Sequence, residues 1–149
     1  MRTLLVIEDG TEYADFARLF LGQDFHILLA QDHRETLAIL AAHPVDRMLV
    51  DLRFDRTLES DLVGDVTATA DSLFAGDRDR ALRHLRDQQG VLILAEARRL
   101  GFRQPAVFIH DFPPRRWDNL CRMYRPIQYV PRFDARALRL ALDAEESLC

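Results

Sequence analysis

The chain contains no lysine: all 20 of its basic residues are arginine. Any mechanism that requires a lysine ammonium is therefore excluded. Cysteine occurs only at Cys121 and Cys149, too few for a disulfide framework. The plain reading is two reduced thiols, with Cys121 on a buried helix face. Long apolar runs are also missing. None approaches the roughly 20 residues that span a bilayer. The first, Leu4 to Ile7, runs straight into Glu8-Asp9, which no secretory signal does. No membrane association is expected, and the cytoplasm is the expected compartment. The sequence has no Gly-rich phosphate loop, dinucleotide fingerprint or nucleophile elbow. It also has no zinc spacing and no helix-turn-helix. What is present is 149 residues, 48% hydrophobic and 30% charged, with a net charge of −4. That fits one domain, 1–149, with a real core, and argues against nonspecific binding to nucleic acid.

Short continuous apolar segments alternate with stripes of helical period. Thr3-Ile7, Phe25-Ala30, Arg47-Val50, Pro105-His110 and Ile127-Val130 read as strands. The first helix carries Tyr13, Phe16, Ala17 and Phe20 on one face and stops at Gly22. Asp32 and Glu35 have capping-box spacing before Leu37, Leu40 and Ala41. Val91, Leu94, Ala95 and Leu100 mark a helix ending near Gly101, and Pro113-Pro114 open another with Trp117, Leu120, Cys121 and Tyr124. Asp134 caps a last helix bearing Leu138, Ala141 and Leu142. Strands without polar alternation are buried on both faces, as in a parallel sheet between helix layers. The expectation is an α/β, flavodoxin-like, doubly wound five-stranded parallel sheet of order 2-1-3-4-5.

The interval 53–90 breaks the rhythm, because connections in such a fold take a handful of residues. Leu58, Leu62, Val66, Thr69 and Leu73 keep a helical stripe, and Asp77 to Leu82 looks like a second helix start. Its first half is acidic and its second half carries Arg78, Arg80, Arg83 and Arg86. We read it as a helical insertion between strand 3 and the third helix of the alternating pattern, either a lid, a shift of that helix, or a partner-binding element.

In the order 2-1-3-4-5 the ends of strands 1 and 3 are neighbours, so Glu8, Asp9 and Asp51 should converge. Clustered carboxylates repel one another unless a cation neutralises them, and oxygen-only ligands of this kind suit Mg²⁺. Here the sequence resembles the response-regulator receiver family. Leu4-Leu5-Val6-Ile7-Glu8-Asp9 is similar to its first strand and acidic pair, and Met48-Leu49-Val50-Asp51-Leu52 to its phosphoacceptor strand. Gly90 matches the usual start of helix 3. The resemblance implies that Asp51 accepts a phosphoryl group from a sensor histidine kinase or a phosphotransfer protein. It also implies that Glu8, Asp9, Asp51 and the backbone carbonyl of Arg53 hold the Mg²⁺.

Three positions depart from that pattern. The family has Thr or Ser at the end of strand 4, where this chain has His110 followed by Asp111. His110 reads equally as a phosphate contact or as a strand-end residue bonded to a carboxylate. The family lysine after strand 5 is missing. One alignment puts Arg132 there and Tyr129 at the aromatic switch position; another puts Pro131 there, and Tyr129 is then a plain strand aromatic. Third, the side chain of Arg53 either crosses the crevice to the acids, displacing the metal, or faces solvent.

The family's surface for dimers and targets runs from helix 4 to helix 5. Here Arg115, Arg116, Arg122, Arg125 and Arg132 face one acid, Asp118. Such charge favours an acidic downstream protein target, and homodimers are a second option; nucleic acid is not expected. No output domain is expected after the last helix, so signalling would run through protein contacts. Two readings stand close together: a phosphorylatable stand-alone receiver, and a phosphorylation-independent pseudo-receiver acting as an interaction module. A flavodoxin-like ligand-binding domain or small enzyme is the least favoured, and the chain is not expected to be an enzyme.

Overall fold

A computed structural model describes residues 1–144 and 149. Strands β1 (Arg2–Ile7), β2 (Phe25–Ala30), β3 (Arg47–Val50), β4 (Ala106–Ile109) and β5 (Ile127–Val130) pair in parallel in the order β2-β1-β3-β4-β5. The apolar runs are buried on both faces because alternate residues serve two layers. Leu5, Ile7, Met48, Val50 and Phe108 face one cluster; Leu4, Val6, Leu49, Val107 and Ile109 face the other. Helices α1 (Glu12–Leu21) and α7 (Ala135–Asp143) close the second layer. Helices α2 (His33–Ala42), α5 (Gln89–Arg99) and α6 (Pro114–Tyr124) close the first. Among the described residues, no helix is long and apolar enough to cross a membrane.

The caps follow the sequence. Asp32 accepts from the Glu35 amide, Asp134 accepts from the Arg136 and Ala137 amides, and Pro114 occupies the first turn of α6. The inward face of α1 is rotated from the expected one: Ala14, Ala17 and Leu21 are buried and Phe20 is 43% exposed. Small side chains let the helix lie close on the sheet. Tyr13 and Phe16 are displaced to its flank, where both rings pack on Phe133. Leu100 is likewise outside the core, half exposed at the end of α5.

The interval after β3 folds as a 3-10 turn (Glu59–Asp61) and helices α3 (Val66–Leu73) and α4 (Arg78–Asp87). Asp65 and Asp77 cap the two helices. Val66, Ala70, Ala81 and Leu85 form a small core of their own, while Leu58 and Leu73 of the expected stripe are exposed. The two halves meet in an ion pair, Arg78–Glu59 at 3.1 Å, while Arg80 lies over the Phe74 ring and Arg86 donates to the Thr57 carbonyl. Two residues fix the insertion in place. Phe54 is fully buried in the main core, and the buried Gln89 side chain both accepts from the Val63 amide and donates to the Val63 carbonyl.

The cysteines correct the expectation of two reduced thiols: Cys121 and Cys149 are joined in a disulfide, with Cα atoms 5.3 Å apart. Cys121 is indeed on the buried face of α6. A separation of 28 residues gives no hint of contact.

Candidate functional site

The site forms at the carboxyl edge of β1 and β3, where Ile7 pairs with Val50 and the Asp51 amide donates to the Ile7 carbonyl. Asp9 and the buried Glu8 leave β1 beside it. Burial pushes the Asp51 carboxyl up to about 6. The Arg53 amide, which donates to its Oδ1 at 3.4 Å, pulls it down. The charge of Asp9 raises it again, the Tyr13 hydroxyl lowers it by donating to the carboxylate, and Glu8 adds a smaller upward push.

Glu8 is 1% exposed and committed to helix α1. Its Oε1 accepts from the Tyr13 amide at 3.1 Å and its Oε2 from the Ala14 amide at 2.8 Å. Thr11, at the N-cap position, makes no side-chain cap bond, so Glu8 performs that service from the preceding strand. Its own carboxyl is raised by burial, with those two amides opposing. Asp9 is engaged as well: its Oδ2 accepts from the Arg56 amide at 2.6 Å.

The arginine beside the acids is Arg56, not Arg53. The Arg53 side chain is exposed and turns to Asp87, at 3.9 Å. The stretch after β3 instead carries Arg56 back over Gly10 to Glu12, at 2.7 Å, and holds the Glu12 carboxyl down at about 2. The insertion thus begins as a strap across the β1–α1 loop. Of the two orientations open to Arg53, the structure has the one away from the acids, and Arg56 takes the place beside them.

At the end of β4, His110 donates its amide to the Val130 carbonyl and lays its ring edge-on to Phe112, with centroids 4.7 Å apart. Its pKa is lowered, first by burial and then by the charges of Arg116 and Arg53, with Asp111 opposing. A shift in that direction favours the neutral ring, which would offer an anion one N–H. Tyr129 is half-buried and packs against Trp117 and Phe112 at 4.7 and 5.6 Å, a strand aromatic within a cluster. Arg132 is exposed and, among the described residues, makes no hydrogen bond or ion pair, so it does not take the place of the missing lysine. Of the expected basic surface, Arg115, Arg122 and Arg125 are exposed. Arg116 is turned inward, over the Phe112 ring at 5.2 Å and onto the Gln88 side chain.

Tyr13 is the residue that the sequence reading missed as a site residue. Its apolar stripe placed it on a helix face, and its hydroxyl acts on the Asp51 carboxyl. Replacing Tyr13 by Phe removes that donor. The Asp51 midpoint should rise by roughly one unit, the scale of a single hydrogen bond to a charged group. An NMR titration of 13Cγ-labelled aspartate checks this.

No protein-family model matches the sequence, and no curated protein matches it. Its fold has many counterparts among solved structures. It is similar to the receiver domain of the Francisella response regulator 1452 (14% identity, TM-score 0.60, covering 96% of this chain and 94% of that one). It is also similar to the receiver domain of NtrX from Brucella abortus (16% identity, TM-score 0.63, covering 95% and 99%). A third is a response regulator from Burkholderia pseudomallei bearing a phosphorylated aspartic acid and a calcium ion (15% identity, TM-score 0.60, covering 97% of this chain and 68% of that one). The chain has the receiver-domain fold.

Proposed function

We propose that this chain is a signal-transduction receiver that accepts a phosphoryl group on Asp51 and passes the signal on through protein contacts. The observation that carries the reading is Asp51 itself. It is a half-buried carboxylate at the end of the central strand, raised to about 6, and set between a second carboxylate and a phenolic donor. The donor class is a phosphohistidine on a sensor kinase or phosphotransfer protein. An Asp51 oxygen attacks phosphorus, the N–P bond breaks, and the leaving imidazole takes up a proton. The Burkholderia structure, with its modified aspartate, lends support by fold analogy.

Mg²⁺ fits this donor set. Asp9, Asp51 and the Arg53 carbonyl oxygen are hard ligands, and Mg²⁺ is held by one or two carboxylates with waters completing its shell. The mutual repulsion of Asp9 and Asp51 is what such a cation offsets. No three acidic or imidazole groups form a ready-made cluster among the described residues, and Glu8 is occupied by α1, so we place Glu8 outside the inner shell. When bound, the ion would screen the incoming phosphoryl oxygens.

The pseudo-receiver is the second reading. The strap that engages Asp9 and the exposed Arg132, which has no ion pair among the described residues, favour it, since neither is placed to hold an anion beside Asp51. Incubation with acetyl phosphate and Mg²⁺, followed by intact mass, separates the two. A gain of one phosphate that Asp51→Asn abolishes is the expected result. No gain at any Mg²⁺ concentration would leave the interaction module.

A further inference from the structure

The two cysteines lie at the end of an aromatic chain that leads to the Asp51 crevice. Cys121 sits on the inner face of α6, 7% exposed, in the same cluster as Leu120 and Ile127. Cys149 is half-buried, with its Sγ 3.2 Å from the Ile127 carbonyl oxygen, and it lines a cavity of about 110 Å³ with Trp117, Ile127, Gln128 and Tyr129. Trp117 and Tyr129 meet Phe112 at 5.3 and 5.6 Å, and Phe112 meets the His110 ring. The disulfide therefore binds the residue at 149 to the edge strand β5 and to α6 at once.

We propose that Cys121–Cys149 is a redox modification site whose substrates are thiol–disulfide exchange partners, and that its state decides whether Cys149 stays seated against the Trp117–Tyr129 pair. Two observations distinguish it from a passive staple. Cys149 is only half-buried and borders a cavity, and exchange requires attack by an external thiolate along the S–S axis. Cys121 belongs to a helix already packed in the main core through Leu120 and Trp117, so opening the bond leaves a small buried thiol in a layer that persists.

In the reductive direction a dithiol supplies both electrons. Its thiolate attacks Cys149 Sγ, forming a mixed disulfide and expelling the Cys121 thiolate, which takes up a proton. The second thiol of the reductant then displaces Cys149 as a thiol and leaves the reductant as a disulfide. The reverse uses a disulfide oxidant such as oxidised glutathione, which is released as two thiols. The inference is independent of Asp51 chemistry.

Trp117 is the only tryptophan in the chain, so it reports on the site directly. The full chain, purified without reductant, is alkylated in denaturant and weighed, then compared with protein first treated with a dithiol under native conditions. Expected are no alkyl groups before treatment and two after. Trp117 emission should rise as the neighbouring disulfide quencher is lost, and amide protection over Ile127–Val130 should fall. Oxidised glutathione should reverse all three changes. Cys149→Ser should show the reduced-state signals in either buffer, while keeping the far-ultraviolet circular dichroism of the parent. Three outcomes overturn the proposal: two free thiols that oxidised glutathione does not close, a bond that only denaturant exposes to the dithiol, or opening that moves neither Trp117 emission nor β5 protection. If Cys149→Ser fails to fold, the native dithiol titration of the parent chain still decides.

Discussion

Gly90→Ala should destabilise the protein by about 3 kcal/mol, the upper end of the usual range for overpacked core sites. Gly90 is buried in the first turn of α5, and its amide donates to the Leu52 carbonyl at 3.0 Å. A Cβ at this position would overlap the Asp51 carbonyl oxygen and stand 2.9 Å from its carbon and 3.0 Å from Leu52 Cα. All three are backbone atoms, so no side-chain rotation relieves the clash. Either α5 lifts off the sheet, losing the packing of Val91 and Leu94, or the Asp51–Leu52 peptide moves and takes the carboxylate with it. Urea denaturation measures the loss. A second reading comes from the Asp51 midpoint, which should fall towards the ordinary carboxylate value if the acid is pushed towards water. A change below about 1 kcal/mol, within the ordinary range for single substitutions, would mean that the approach of α5 to β3 is looser than described.

Asp51→Asn should stabilise the folded state by about 2–3 kcal/mol at pH 8 and by nothing near pH 4. The acid titrates at about 6 in the folded chain, against 3.8 for an unperturbed aspartate. Between those values the folded state holds more protons than the unfolded one, so its stability falls as pH rises through that window and levels off above it. Each unit of difference is about 1.4 kcal/mol, which with some screening at a half-buried site sets the size of the effect. Asparagine carries no charge to desolvate, and its carbonyl still accepts from Tyr13. The parent chain keeps a residual slope because Glu8 is also raised by burial. Thermal unfolding of both proteins from pH 4 to 8 tests this; parallel curves would show that the Asp51 charge is not confined by the site. If Mg²⁺ binds as proposed, it should recover most of the deficit of the parent chain at pH 8 and leave Asp51→Asn unmoved.

Much of this protein follows from local chemistry, and that part was legible. A strand such as Arg47–Val50 must be buried on both faces, because it offers no polar face to solvent. Asp32, Asp77 and Asp134 end their loops where a carboxylate can satisfy the free amides of the next helix turn. Strand order and the right-handed crossovers then bring Glu8, Asp9 and Asp51 to one edge, with no further information needed.

What the carboxylates touch was decided elsewhere. Glu8 serves the amides of Tyr13 and Ala14 because α1 starts without a capping side chain of its own. The Tyr13 hydroxyl reaches Asp51 because Ala14 and Ala17 let the helix settle close to the sheet. Arg56 rather than Arg53 lies over the acids because Phe54 is drawn into the core between them, turning the chain back across Gly10. No periodicity encodes the Cys121–Cys149 bond. Helical and strand periods, caps and apolar runs act over a few residues, and so can be read from neighbours in the chain. Side-chain partners across the crevice depend on the tilt and depth at which whole elements pack, and those are set by the sum of contacts in the folded core.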